Sequence, residues 1–153
     1  MVDIKKAIQL SWEIHSFHKQ CMMRLLADYG IHFGQPPLLV TLKKQGGSGN
    51  QSDLAKALNV SPAAIAVSLK RMEKAGMVRR ITDPEDLRSN RVELTESGLQ
   101  AAQQANAILY QVTEHLFSGF TEDELMQFLC FYQKIRDNLD SYKNELDRLE
   151  ESL

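Results

Sequence analysis

The chain has 153 residues, 43% of them apolar and 25% charged, with a formal net charge of −2. That length and apolar content suit a single domain over 1–153 with its own core. No run approaches the roughly 18 apolar residues of a membrane span, and the N-terminal MVDIKKAIQL is amphipathic rather than signal-like, so a cytoplasmic protein with no membrane attachment is expected.

Residues 3–28 read as a long helix, with Ile4, Ile8, Trp12, Met22, Leu25 and Leu26 among its apolar positions. Gly30 ends it, and Gly34 with the Pro36-Pro37 pair punctuates the start of a short apolar helix over about 36–45. The GGSG run at 46–49 is expected to be a flexible turn. Asn50 then caps a third helix, with Asp53 at its third position. The fourth helix opens on Ser61 as N-cap with Pro62 at the first helical position, and Gly76 stops it. Two runs of period two follow, MVRRIT and NRVELT, joined by DPEDLRS, which suits a two-stranded ribbon. Thr95 caps the next helix, to about Ser118, and Thr121 with Glu124 forms a capping box for the last.

An advance of 100° per residue along the fourth helix puts Ile65, Leu69 and Met72 on the core side. Ala63, Val67, Lys70 and Lys74 fall opposite, with Ala64 and Arg71 flanking them. Small residues let a backbone approach base edges, apolar ones can touch thymine methyls, and the cations stand where phosphates would be. The charge distribution agrees. Residues 61–91 carry seven basic side chains against four acids, whereas 122–153 carry nine acids against four bases. Phosphate responds to the local patch rather than to the total.

The last helix carries a second signal. Phe128, Tyr132, Ile135, Leu139, Tyr142, Leu146, Leu149 and Leu153 alternate in steps of four and three, an apolar heptad seam. A helix of about 30 residues is about 45 Å long, more than this domain could cover, so a partner helix from a second copy is expected.

Three pieces, SDLAKALNVSPAAI, LKRMEKAGMVRR and DPEDLRSNRVELTESG, together resemble the MarR family of bacterial transcription regulators. The last resembles the family's wing signature, a D-P-x-D-x-R run followed by a strand ending in Leu-Thr and a glycine. The resemblance implies a mainly α fold with a small β-hairpin wing. In it a winged helix-turn-helix over 36–97 binds DNA, and the flanking helices, 1–30 and 98–153, form a dimerisation region. It also implies a homodimeric regulator, most simply a repressor, bound to a palindromic duplex operator. Ser61 to Arg71 would lie in the major groove and Arg88, near the wing tip, in the minor groove, with Asn90 a further DNA contact and Asp86 bracing the wing through an arginine. Leu87 departs from the arginine often found there, and Ala66 and Val67 are apolar where polar residues are common.

The family implies release of DNA on binding a small aromatic ligand, in a pocket for which Trp12, His15, His32, Phe33 and Tyr110 are candidates. Two alternatives stay open. One is a metal- or redox-responsive member: His15, His18 and Cys21 are spaced by three, although that spacing drifts about 60° per step around a helix. Cys21 and Cys130 lie far apart in helical patterns, which argues against a disulfide and for buried packing. The other is a winged-helix interaction module without DNA binding. An enzyme is not expected, since the chain has no Gly-rich phosphate loop, HExxH or nucleophile elbow, and neither a cofactor nor a bound metal is expected.

Overall fold

In the computed structural model, which describes residues 3–81 and 91–151, the elements follow the order helix, helix, strand, helix, helix, strand, strand, helix, helix. They are α1 (Ile4–Ala27), α2 (Pro36–Lys44), β1 (Ser48–Asn50), α3 (Gln51–Ala57), α4 (Pro62–Lys74), β2 (Val78–Ile81), β3 (Arg91–Leu94), α5 (Glu96–Leu116) and α6 (Glu122–Glu151). The chain divides into two compact units, Met1–Thr113 and Glu114–Leu153, with the division inside the last turn of α5.

Local chemistry sets most of the boundaries. The Asn50 side chain accepts a hydrogen bond from the Ser52 amide, and the Ser61 hydroxyl accepts one from the Ala64 amide, so each satisfies a donor that a helix start leaves over. Helix α4 ends in a two-bond C-terminal lock. The Gly76 amide donates to the Glu73 carbonyl (3.0 Å) and the Met77 amide to the Met72 carbonyl (2.9 Å), with Gly76 at φ +72°. Helix α3 closes the same way on Asn59, at φ +50°, with the Val60 amide reaching the Ala55 carbonyl. At the head of α6, the Glu124 carboxylate accepts from the Thr121 amide (2.8 Å) and hydroxyl, while the Glu124 amide donates back to that hydroxyl. Those bonds, the backbone one foremost, favour the ionised carboxyl and hold its pKa below the usual glutamate value.

The sheet has three strands in the order β1-β3-β2, all antiparallel, where the sequence suggests two. The GGSG segment is therefore only partly a turn. Ser48 and Gly49 pair with Glu93 and Val92, because the edge of β3 offers the backbone partners that a free turn would lack.

The core of the first unit is built from one face of each element. Leu38, Leu39 and Leu42 of α2 meet Leu54 of α3, and Ile65, Leu69 and Met72 of α4 face inward, as the helical spacing requires. Val78, Val92 and Leu94 close it from the sheet, Met22 and Leu26 from the end of α1, and Ala102 and Ala105 from α5. Most of α1 is different. Ile4 and Trp12 are 74% and 72% exposed, and only Met22 and Leu26 of that helix are buried. In the second unit, Phe117, Phe120 and Phe128 pack edge to face, with centroids 5.4 to 6.4 Å apart. The seam residues Tyr132, Ile135, Leu139, Tyr142, Leu146 and Leu149 are all exposed.

The α4–β2 junction is held against the start of α5. The Thr95 hydroxyl donates to the Gly76 carbonyl (2.6 Å) and accepts from the Gly98 amide (3.0 Å), and the Thr95 amide donates to the Met77 carbonyl (3.0 Å). A Cβ on Gly98 would stand 1.8 Å from that Met77 carbonyl oxygen. Gly98→Ala should therefore lower unfolding stability by about 3 kcal/mol, because backbone must shift to admit the methyl group. Gly34→Ala, with nothing within 4 Å of its Cβ, should stay within about 0.5 kcal/mol of the parent. Urea unfolding of both variants checks the contrast.

Candidate nucleic-acid interface

The exposed side of α4 starts where Pro62, at the first helical position, follows the Ser61 cap. Ser61, Ala63, Ala64, Val67, Lys70, Arg71 and Lys74 are all exposed. The model thus brings the seven α4 candidates of the sequence onto one solvent-facing surface, with Val67 at 53% exposure. An apolar, small-residue first half is followed by a cationic second half. Arg71 and Lys74 also lie in the last turn, where the helix dipole favours a positive charge by about 0.3–1 kcal/mol each.

The described basic side chains of the region divide into two groups. Arg79 and Glu93 are cross-strand partners, and the Arg79 Nε donates to the Glu93 carboxylate at 2.7 Å. Arg80 reaches from β2 to Glu73 on α4, Nε to Oε2 at 3.2 Å, and Arg91 donates to the Ser48 hydroxyl at 2.9 Å. Arg79 and Arg91 are thus engaged within the sheet, and Arg80 links the sheet to α4. Lys70, Arg71 and Lys74 have no ion pair or side-chain hydrogen bond among the described residues. Exposed pairs such as Arg79–Glu93 contribute about 0–1 kcal/mol, so their main effect is on orientation. Without a partner among the described residues, Lys70, Arg71 and Lys74 are placed to meet an outside anion.

Sequence reasoning missed a concavity beside this surface. A cavity of about 400 Å³ lies at the α3–α4 turn, lined by Ser52, Ala55, Lys56, Asn59, Val60, Ser61 and Pro62. The Gln51 amide crosses from α3 to the Pro62 carbonyl (3.4 Å) at its edge. Asn59, tolerant of positive φ, was the available sign that the turn would fold back here.

The wing candidates Asp86, Arg88 and Asn90 lie outside the described residues. Of the five candidate ligand residues, Trp12 and His15 are exposed on α1, His32 and Phe33 lie in the α1–α2 link, and Tyr110 is 67% exposed on α5. Cys21 and Cys130 are both exposed, contrary to the buried packing expected from their helical setting. Each sits on a helix whose apolar side chains are also largely uncovered, so a helical pattern did not imply burial within one chain. Among the described residues no three histidine, cysteine or carboxylate side chains come together as a metal site. No described helix is long and apolar enough to cross a membrane.

Comparison with known proteins gives a consistent result. Residues 35–89 match the model of the MarR family. The chain is 26% identical over 133 residues to the uncharacterised HTH-type transcriptional regulator YdgJ of Bacillus subtilis (strain 168), covering 87% of this chain and 80% of that one. Among solved structures, S. aureus MepR in complex with DNA superposes with a TM-score of 0.74 at 27% identity, covering 85% of this chain and 94% of that one. The organohalide-sensing regulator RdhR, in its 2,4-dichlorophenol-bound form, superposes with a TM-score of 0.80 at 19% identity, covering 90% and 82%.

If the unpaired cations meet phosphates, Lys70→Ala and Arg71→Ala should each weaken duplex binding across sequences. Each should also reduce the slope of log affinity against log salt by about 1. Fluorescence anisotropy over a salt series measures both. An unchanged slope would remove that residue from the phosphate contacts.

Proposed function

Because this chain belongs to the MarR family of transcriptional regulators, not to an enzyme family, we propose that it is a repressor binding a palindromic duplex operator as a homodimer. In this reading residues 36–97 form the winged helix-turn-helix DNA-reading lobe, and 1–30 with 98–153 form the dimerisation region. The protein acts in the cytoplasm, where its DNA is.

The observation that carries the DNA reading is the exposed face of α4. Three unpaired cations continue a surface of small and apolar side chains, and no acid of that helix neutralises them, since Glu73 is engaged by Arg80. Ser61, Ala63, Ala64 and Val67 approach the base edges, where methyl contacts select thymine more readily than hydrogen bonds select guanine. Lys70, Arg71 and Lys74 meet the phosphate walls. Arg88 enters the minor groove, Asn90 contacts the backbone beside it, and Asp86 braces the wing. MepR, solved with DNA, supports the assignment through its shared fold.

The homodimer is supported by α6. No side chain described in this 30-residue helix is buried, yet its seam is apolar from Tyr132 to Leu149. A contiguous apolar stripe of this length on a water-exposed helix marks an association surface. The outer half of α1, with Ile4, Ile8 and Trp12 exposed, belongs to the same surface class.

Release by a small aromatic ligand is the regulatory part of the proposal, with Trp12, His15, His32, Phe33 and Tyr110 as its lining in the assembled dimer. The dichlorophenol-bound neighbour supports that class of effector. The interaction-module reading is weaker, because it gives the free cations of α4 no role.

Selection of bound duplexes from a random pool tests the DNA reading and should return a palindrome with half-sites about one helical turn apart. Leu139→Asp should shift the protein toward monomer and abolish operator binding with it. A light-scattering mass that stayed dimeric would show that the seam is not the interface.

A further inference from the structure

We propose that Val67 makes this protein a reader of the pyrimidine C5-methyl group, so that 5-methylcytosine can replace thymine in its operator and cytosine methylation strengthens binding. The inference rests on the DNA reading above and adds to it the regulation of that same surface.

Val67 is the centre of the exposed face of α4. An advance of about 100° per residue puts Ala63, Ala64, Lys70, Arg71 and Lys74 all within about 60° of its direction. Its side chain is 53% exposed, and its two apolar neighbours on that face, Ala63 and Ala64, are exposed as well. Together these three side chains offer methyl groups alone. The polar side chains nearby are placed otherwise. The Ser61 hydroxyl serves as the cap and accepts from the Ala64 amide at 3.2 Å, and Ser68 is half-buried about 100° further round the helix. The cations of this face begin only at Lys70. A β-branched side chain in a helix keeps essentially one rotamer, so the Val67 methyls hold their direction and lose little freedom when covered.

This chemistry decides which base feature is read. In the major groove the one apolar group on a base edge is the C5-methyl of thymine, and the other features are donors or acceptors. T·A and C·G pairs each turn one donor and two acceptors toward that groove, so facing either with valine costs about the same. The methyl group separates them. 5-Methylcytosine carries the same methyl at the same ring position, and the Val67 side chain has no polar atom with which to tell its amino group from the thymine carbonyl. An asparagine or glutamine here would distinguish the two. Methylation of a cytosine at this position therefore supplies the feature that Val67 reads.

The starting material for the test is a duplex that the parent protein binds, with fluorescence anisotropy as the readout. Deoxyuridine, placed at each thymine in turn, removes the methyl and keeps the base pair. At the position facing Val67 it should weaken binding about fourfold, the effect of one buried methyl group. There, a 5-methylcytosine·guanine pair should bind within about twofold of thymine·adenine, and about threefold or more tighter than unmethylated cytosine·guanine. Val67→Ala, at an exposed position where alanine favours the helix, should reduce both methyl preferences to below about twofold while keeping the parent's salt slope. A methyl effect transmitted through duplex shape would survive that substitution, and its survival would remove Val67 from the reading. Indifference to uracil at every thymine, or equal binding of methylated and unmethylated cytosine, would overturn the inference and leave the DNA reading standing. Failure of the parent to bind any duplex would overturn the DNA reading, and this inference with it.

Discussion

The contact on which the rest of the first unit depends is between the start of α5 and the backbone of Met77. Gly98 has no side chain, and none would fit, since its Cβ would overlap the Met77 carbonyl oxygen. This one place joins three elements: the end of α4, the beginning of β2 and the start of α5. Thr95 adds its hydroxyl to Gly76 and its amide to Met77, so the junction is bonded on both sides. A helix and a wing that are set relative to each other before DNA arrives lose less freedom on binding. The glycine is therefore a geometric requirement of the junction.

The same economy governs the charges. Arg79, Arg80 and Arg91 look in sequence like further members of a basic patch, yet each is held by a partner from a neighbouring element. Their bonds run from β2 to β3 and from β3 to β1 within the sheet, and from β2 to α4, which ties the sheet to that helix. Among the described basic side chains of this region, those of the cationic half of α4 remain for an external anion. The division follows from strand register, because Arg79 faces Glu93 only in the pairing that also puts Val78 opposite Leu94 in the core.

Much of this was legible in the sequence where the determining interaction is local. Asn50, Ser61, Thr95 and Thr121 act on donors within three residues, so their caps could be assigned from spacing alone. Ile65, Leu69 and Met72 could be separated from the exposed face by helical periodicity. One failure concerns partners distant in the chain. β1 went unseen because Ser48 and Gly49 become a strand only by pairing with Glu93 and Val92, more than forty residues away. Other misses are close in the chain: Glu73 is seven residues from Arg80 and the cavity around Lys56 is lined within residues 52–62, but both depend on how the turns after α4 and α3 fold back, which helical and strand periods do not record. Cys21 and Cys130 illustrate a different failure, since a helical apolar pattern does not by itself mean burial within one chain.

Helix α6 has a consequence for how much protein is needed. A helix that buries none of its residues within its own chain gains little from folding alone, and its apolar seam becomes favourable only when another chain covers it. With a second copy as the cover, stability and concentration are linked by mass action, so the folded, paired form dissociates on dilution. On the proposed dimer and palindromic operator, occupancy would rise more steeply than in proportion to the number of chains in the cell, and a small fall in synthesis would empty the site disproportionately.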